Sequence, residues 1–245
     1  MKTQKIIFFI WRMWLWFTVM FGLILFSPVG VVLVSFEKTY PLFHLFCKYW
    51  CRLVLLLNGF WYKLYKESDI DSKSAYIICP NHTSKFDIIL LFATFPGTFV
   101  FLGKKNVSNI RFFEWFYNKT MVTFERGQNS SSVNAYRKAD RLLKSGISIV
   151  VFPEGRVPEP EIRLGVFKLG AFKLAVNNQI PIIPLTFVDN KRKYPEDKLN
   201  VKLGLLRVII HKPIQTLTKT AKDSLILKDK VFDIIYKTLI KYENN

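Results

Sequence analysis

The chain opens with one long apolar block and only later settles into short alternating runs. From Met13 to Phe36 there are 24 residues without a charge, enough as a straight helix to cross the roughly 30 Å hydrocarbon core of a bilayer. Pro28 and Gly30 interrupt the run. Lys2, Lys5 and Arg12 precede it as in a signal peptide, but the run is too long for one and no small-residue cleavage site follows. It therefore reads as retained. A second apolar stretch, Pro41 to Leu64, carries Lys48, Arg52 and Lys63. That spacing of cations predicts an amphipathic helix at the interface, with Trp50, Trp61 and Tyr62 as boundary anchors. A first helix that dips in and a second that returns make a membrane-anchoring hairpin over residues 1–66; a single true span is the alternative.

Lys66 to Ser74 is largely polar and marks the start of a second unit, residues 67–245. There, β-prone runs at Ala75–Cys79, Thr98–Leu102, Ile147–Phe152 and Ile180–Phe187 alternate with helical patterns at Ser84–Phe95, Ser108–Tyr117, Ser131–Lys144 and Phe167–Asn177. A short run, Met121–Thr123, and a pair near Asn200–Leu203 and Leu206–His211 add further strands, and Ala221–Tyr242 reads as a closing amphipathic helix. Alternation of this kind predicts an α/β fold with a largely parallel sheet flanked by helices. Prolines bracket Ile180 to Leu185, which points to an edge strand or a bulge.

Charge sharpens the picture. Lysine and arginine number 36 against 18 acidic residues, a formal net charge of +18, so the partner is anionic: nucleic acid, a membrane surface or a phosphorylated substrate. The apolar N-terminus favours the membrane, and no nucleic-acid-binding motif is present. Three cysteines give no disulfide framework and suit a reducing compartment. Cys79 and His82 have no second ligand pair, so no metal site is expected.

The candidate chemistry centres on Asn81-His82-Thr83-Ser84-Lys85-Phe86-Asp87. A histidine can take a proton from an alcohol near neutral pH, and a carboxylate can fix its tautomer and stabilise the imidazolium. Positions five apart diverge on a continuous helix, so a turn must separate His82 from Asp87. Pro80-Asn81 ends a strand, and Ser84 with Asp87 three residues on reads as a capping box. The plainer alternative is that Asp87 only caps a helix.

A second turn follows Ile149-Val150-Val151-Phe152 and reads Pro153-Glu154-Gly155-Arg156. Ligands of open α/β sheets bind beyond the carboxyl ends of strands, where this turn and His82 both lie. Glycine admits close backbone approach, and arginine offers a planar fork for phosphate. Gly103-Lys104-Lys105 and Glu125-Arg126 add cations at other strand ends, and three such clusters predict a pocket for a phosphate-bearing alcohol. The wholly apolar Ile182-Ile183-Pro184 suits either core or the lining of an acyl-chain cleft.

Taken in order, Asn81-His82 with Asp87, Phe124-Glu125-Arg126, Phe152-Pro153-Glu154-Gly155 and Ile180-Pro181-Ile182-Ile183-Pro184 resemble the four motif blocks of the glycerolipid acyltransferases. The likeness is to the bacterial 1-acylglycerol-3-phosphate acyltransferases in particular, and it covers about residues 75–212. The resemblance implies acyl transfer from acyl carrier protein or acyl-CoA to lysophosphatidate, giving phosphatidate, with no further cofactor. It implies a place on the membrane bilayer, at the cytoplasmic face of the inner membrane. His82 matches the base and Asp87 its partner, while Arg126 matches a phosphate-binding arginine. Lys104 or Lys105 matches a basic residue near the phosphate or oxyanion, and Glu154 and Gly155 match the block that helps place the acceptor. Two positions depart from the family pattern: Glu125 replaces aspartate, and Arg156 directly follows Gly155 without an intervening threonine, so either Arg156 or Arg163 fills the third-block arginine role. Another acceptor, such as glycerol 3-phosphate or a different lysophospholipid, fits the same blocks. Composition alone would equally fit a silent module that binds anionic lipid.

Overall fold

The structure is a computed structural model that describes residues 2–84, 86–104, 118–124, 129–195 and 201–243. Helix α1 (Lys2–Ser35) runs unbroken through Pro28, against the expected interruption. The proline withholds the N–H that Ile24 O would receive from position 28. The Ser27 hydroxyl supplies the missing bond, donating to Ile24 O at 2.9 Å. A short turn then leads into α2 (Tyr40–Leu57), which packs back along α1. Trp50 lies where a side chain at position 22 would be, since a Cβ added to Gly22 would fall 1.9 Å from its ring. Phe26 packs between Phe46 and Trp50, and Asn58 Nδ2 donates to Thr18 Oγ1 at 3.1 Å. Residues Ile6–Ser35 form a helix long and apolar enough to cross a membrane.

The second helix stops at Leu57, short of the expected Leu64. Asn58-Gly59 terminates it, with Gly59 in the left-handed region at φ 76°, a common way for a helix to end. Phe60–Lys66 then forms β1 and belongs to the sheet instead of the anchoring hairpin. Its period-two pattern explains this: Phe60 is buried and Tyr62 and Leu64 are half-buried, while Trp61 and Lys63 between them are exposed.

The remaining elements are β2 (Ile77–Pro80), α3 (Phe86–Thr94), β3 (Phe99–Lys104), β4 (Met121–Phe124), α4 (Asn129–Lys144), β5 (Ser148–Val150), α5 (Gly170–Asn178), β6 (Ile182–Phe187), α6 (Asn190–Lys193), β7 (Gly204–Ile210) and α7 (Asp223–Glu243). The seven strands lie in the order β1-β7-β6-β2-β5-β3-β4 and pair in parallel except β6 with β7. The strand expected over Asn200–Leu203 is absent from residues 201–203, where Lys202 N instead bonds to Lys193 O. The helix expected over Ser108–Tyr117 lies outside the described residues.

Alternation along the strands makes two cores. Ile77, Ile149 and Ile182 face α4, α5 and α7, while Ile78, Val150 and Ile183 face α2 and α3. Despite its prolines β6 is internal, between β7 and β2. It is accommodated by a bulge: Ile182 pairs with Ile214 and Leu185 with Ile210. Ile183 and Pro184 therefore face three residues, His211, Lys212 and Pro213. Pro184 offers only its carbonyl there, which accepts from His211 N at 3.1 Å, so its missing N–H leaves no partner stranded.

Candidate active site

Where β2 ends, Asn81 turns its side chain into a substitute for further strand. Its Nδ2 donates to Phe187 O at 3.1 Å and its Oδ1 accepts from Phe187 N at 2.8 Å. The main chain is thereby free to leave the sheet while staying fastened to β6. Residues 82–84 form the loop that follows, and Asp87 occupies the first turn of α3. The Asp87 carboxylate reaches back to Ser84 N at 3.0 Å as a capping box requires, but Ser84 Oγ accepts from Phe86 N at 3.2 Å, while Asp87 N bonds to Ser84 O at 3.1 Å.

That same carboxylate lies 2.9 Å from His82 Nδ1. Asp87 is fully buried and accepts from Thr83 N (2.6 Å), Thr83 Oγ1 (2.6 Å) and Asn190 Nδ2 (2.7 Å). Donors on both oxygens hold it as an acceptor. Nδ1 of His82 must then carry the hydrogen, which leaves the lone pair on Nε2. Capping a helix and orienting an imidazole are performed by one group here, so the two readings of Asp87 do not compete. The ring of His82 stacks on Phe152 with centroids 4.0 Å apart.

Glu154 is beneath this pair. Its side chain accepts from His82 N and from Gly165 N, both at 2.6 Å, and the residue is only 5% exposed. Burial pushes its carboxyl up to about 7, against the two N–H bonds that favour the charged form. It thus braces the histidine loop against the segment around Gly165 and is absent from the cavity wall.

The cavity beside His82 has a volume of about 550 Å³ and is overwhelmingly apolar, within the usual range for ligand sites of about 300–1,000 Å³. It runs between the sheet and both long helices: Leu23 and Val34 of α1, Cys47 of α2 and Phe101 of β3 all line it. Arg156 and Lys168 bring cations to its wall. Gly155 also lines it, whereas Arg163 does not and rests over the Tyr236 ring of α7 at 5.7 Å. The expected acyl-cleft residues Ile182, Ile183 and Pro184 are buried within the sheet and take no part in this cavity. Central pairing of β6 leaves them facing the helices on either side. Lys104 ends β3; Lys105, Glu125 and Arg126 lie outside the described residues. Among the described residues no group of three or more histidine, cysteine or acidic side chains comes together as a metal site would require. Sequence reasoning missed Asn190, Lys168 and the ring of Phe152. Phe152 and Thr83 lay inside motifs already noted, but nothing local marks Asn190, which is 103 positions from Asp87.

An imidazole so oriented, opening on an apolar cavity, can draw a proton from a hydroxyl group that carries a hydrocarbon chain. Comparison with known proteins agrees with that chemistry. A family model described as Acyltransferase matches residues 62–188, just over half the chain, and the chain belongs to the acyltransferase family. An uncharacterized acyltransferase of Schizosaccharomyces pombe is 30% identical over 221 residues, covering 86% of this chain and 76% of that protein. A 1-acyl-sn-glycerol-3-phosphate acyltransferase of Saccharomyces cerevisiae is 31% identical over 192 residues, covering 77% of this chain and 63% of the yeast protein. In fold, the chain matches the crystal structure of the 1-acyl-sn-glycerophosphate acyltransferase PlsC from Thermotoga maritima. The TM-score is 0.79 at 18% identity, over 99% of this chain and 98% of the other.

Proposed function

We propose that the protein transfers a fatty acyl group from a thioester, acyl-CoA or acyl carrier protein, to the free hydroxyl of 1-acylglycerol 3-phosphate, forming phosphatidate. The observation that carries this reading is the His82–Asp87 pair at 2.9 Å opening on an apolar cavity of about 550 Å³. The names of the relatives, which describe action on that acceptor, support the same reaction.

In the reaction, Nε2 of His82 takes the acceptor's hydroxyl proton as the oxygen attacks the thioester carbonyl. Asp87 keeps Nδ1–H in place and stabilises the imidazolium that forms. As the tetrahedral intermediate collapses, the carbon–sulfur bond breaks and the departing thiolate takes the proton from His82. No acyl-enzyme is required, and no nucleophile elbow is present in the sequence. Arg156 and Lys168 would hold the phosphate, and the alkyl chain would lie along α1 and α2. The apolar α1 would keep the site at the bilayer that holds the acceptor, on the cytoplasmic side where thioester donors are soluble.

The test is labelled acyl transfer by the purified protein to lysophosphatidate, with each donor, beside His82→Ala and a competing supply of glycerol 3-phosphate. Turnover should fall by about 10²- to 10⁴-fold in His82→Ala. Wild-type turnover in that variant, or preference for glycerol 3-phosphate, refutes the assignment.

A further inference from the structure

We propose that Asn190 is a positioning residue for the His82–Asp87 pair, held on target by a clasp between Asp189 and Arg207. The inference rests on His82 being the base and adds a residue beyond the family match, which ends at 188.

Asn190 opens α6 directly after β6, three positions beyond Phe187, the residue fastened to the side chain of Asn81. That fastening brings the start of α6 against the histidine loop. Asn190 is fully buried, and its Nδ2 donates to Asp87 Oδ1 at 2.7 Å. Its own Oδ1 is buried and, among the described residues, has no hydrogen-bond partner. Turning the amide over would set that oxygen against a carboxylate, so the N–H orientation follows from charge. Asp189 is 1% exposed and accepts from the main chain N of Arg207 at 2.8 Å, from its Nε at 2.9 Å and from its Nη2 at 2.8 Å. Arg192 adds a further bond at 2.9 Å. This fork ties α6 to β7, so α6 cannot drift without breaking several charge-assisted bonds.

The consequence is directional. Thr83 also donates to Asp87 Oδ1, and the histidine uses Oδ2. With Asn190 in place the carboxylate is gripped from outside its own loop, which fixes its rotation about χ2 and hence the tilt of the imidazole. The titratable groups facing Asp87 are His82 from its own loop and Glu154 from the turn after β5; α6 presents the neutral amide.

The experiment uses the full chain in mixed micelles with lysophosphatidate and an acyl thioester, and measures kcat, KM and the pH profile of kcat/KM. Asn190→Ala should lower kcat by about 10- to 100-fold, the worth of one hydrogen bond to a charged group, with KM within about twofold. Asn190→Asp, close in shape, sets a second buried carboxyl against Asp87 Oδ1, so the two share a proton, and kcat/KM should fall relative to wild type as the pH rises and that proton is lost. Circular dichroism reports whether each variant is folded. Should Asn190→Ala fold poorly, the pH profile of Asn190→Asp carries the test. Wild-type kcat in the folded Asn190→Ala variant, or a pH profile of Asn190→Asp that matches the wild type, overturns the inference while leaving the base assignment standing. Retained turnover in His82→Ala, run alongside, overturns both.

Discussion

Replacing Glu154 by glutamine removes one ionisation from a place that disfavours the charge. The carboxyl, ordinarily near 4.5, is pushed up to about 7, and burial is the larger cause. The N–H groups of His82 and Gly165 pull in the opposite direction without overcoming it. Because the folded chain binds this proton more tightly than the unfolded chain, the stabilisation is complete below about pH 4.5. It is lost as the pH rises through about 7. At about 1.4 kcal/mol per pH unit, the swing amounts to about 3 kcal/mol.

Glutamine has no proton to lose, so the difference in unfolding free energy, wild type minus Glu154→Gln, should fall by about 3 kcal/mol between about pH 4.5 and 7.5. A constant offset comes on top. The amide can accept from only one of the two backbone N–H groups, and leaving the other unpaired costs about 1–3 kcal/mol at every pH. Slope and offset are therefore separable in denaturant titrations of both proteins across that range in a fixed detergent. Parallel pH curves for the two proteins would show that Glu154 does not titrate there, and the reasoning from burial would fail.

Two further substitutions probe the helices. Gly22→Leu forces a side chain into the Trp50 ring, which a Cβ alone would meet at 1.9 Å. It should cost about 1–3 kcal/mol, read as an earlier thermal transition, and an unchanged melt would mean that α1 and α2 do not pack on each other as described. Cys47→Trp enlarges a residue that lines the cavity from α2. In competition between donors it should shift acyl transfer towards shorter chains with little change in KM for the thioester head; an unaltered chain-length preference would place the acyl chain elsewhere.

What could be read from the sequence and what could not divides along the range of the forces involved. The His82–Asp87 geometry was legible because capping, strand termination and the bond between imidazole and carboxylate all act within a few residues, and the spacing alone demands a turn. The stop at Asn58-Gly59 was equally local, but the aromatic and basic residues of β1 suit an interfacial helix as well as a strand. Only pairing with β7, more than a hundred positions away, decides between them. Glu154 shows the same limit, since the sequence places a carboxylate on a turn without saying that the segment around Gly165 will return over it. The apolar cavity is the clearest case. An apolar strand such as Ile182-Ile183-Pro184 invites the role of a lining, yet a strand with neighbours on both edges spends its side chains on two cores. The cavity forms instead where α1 and α2 stand off from the sheet at the Phe101 and Phe152 side. Its shape thus depends on how the two N-terminal helices dock, and a substitution such as Gly22→Leu should disturb chain selection as well as stability without altering His82 or Asp87.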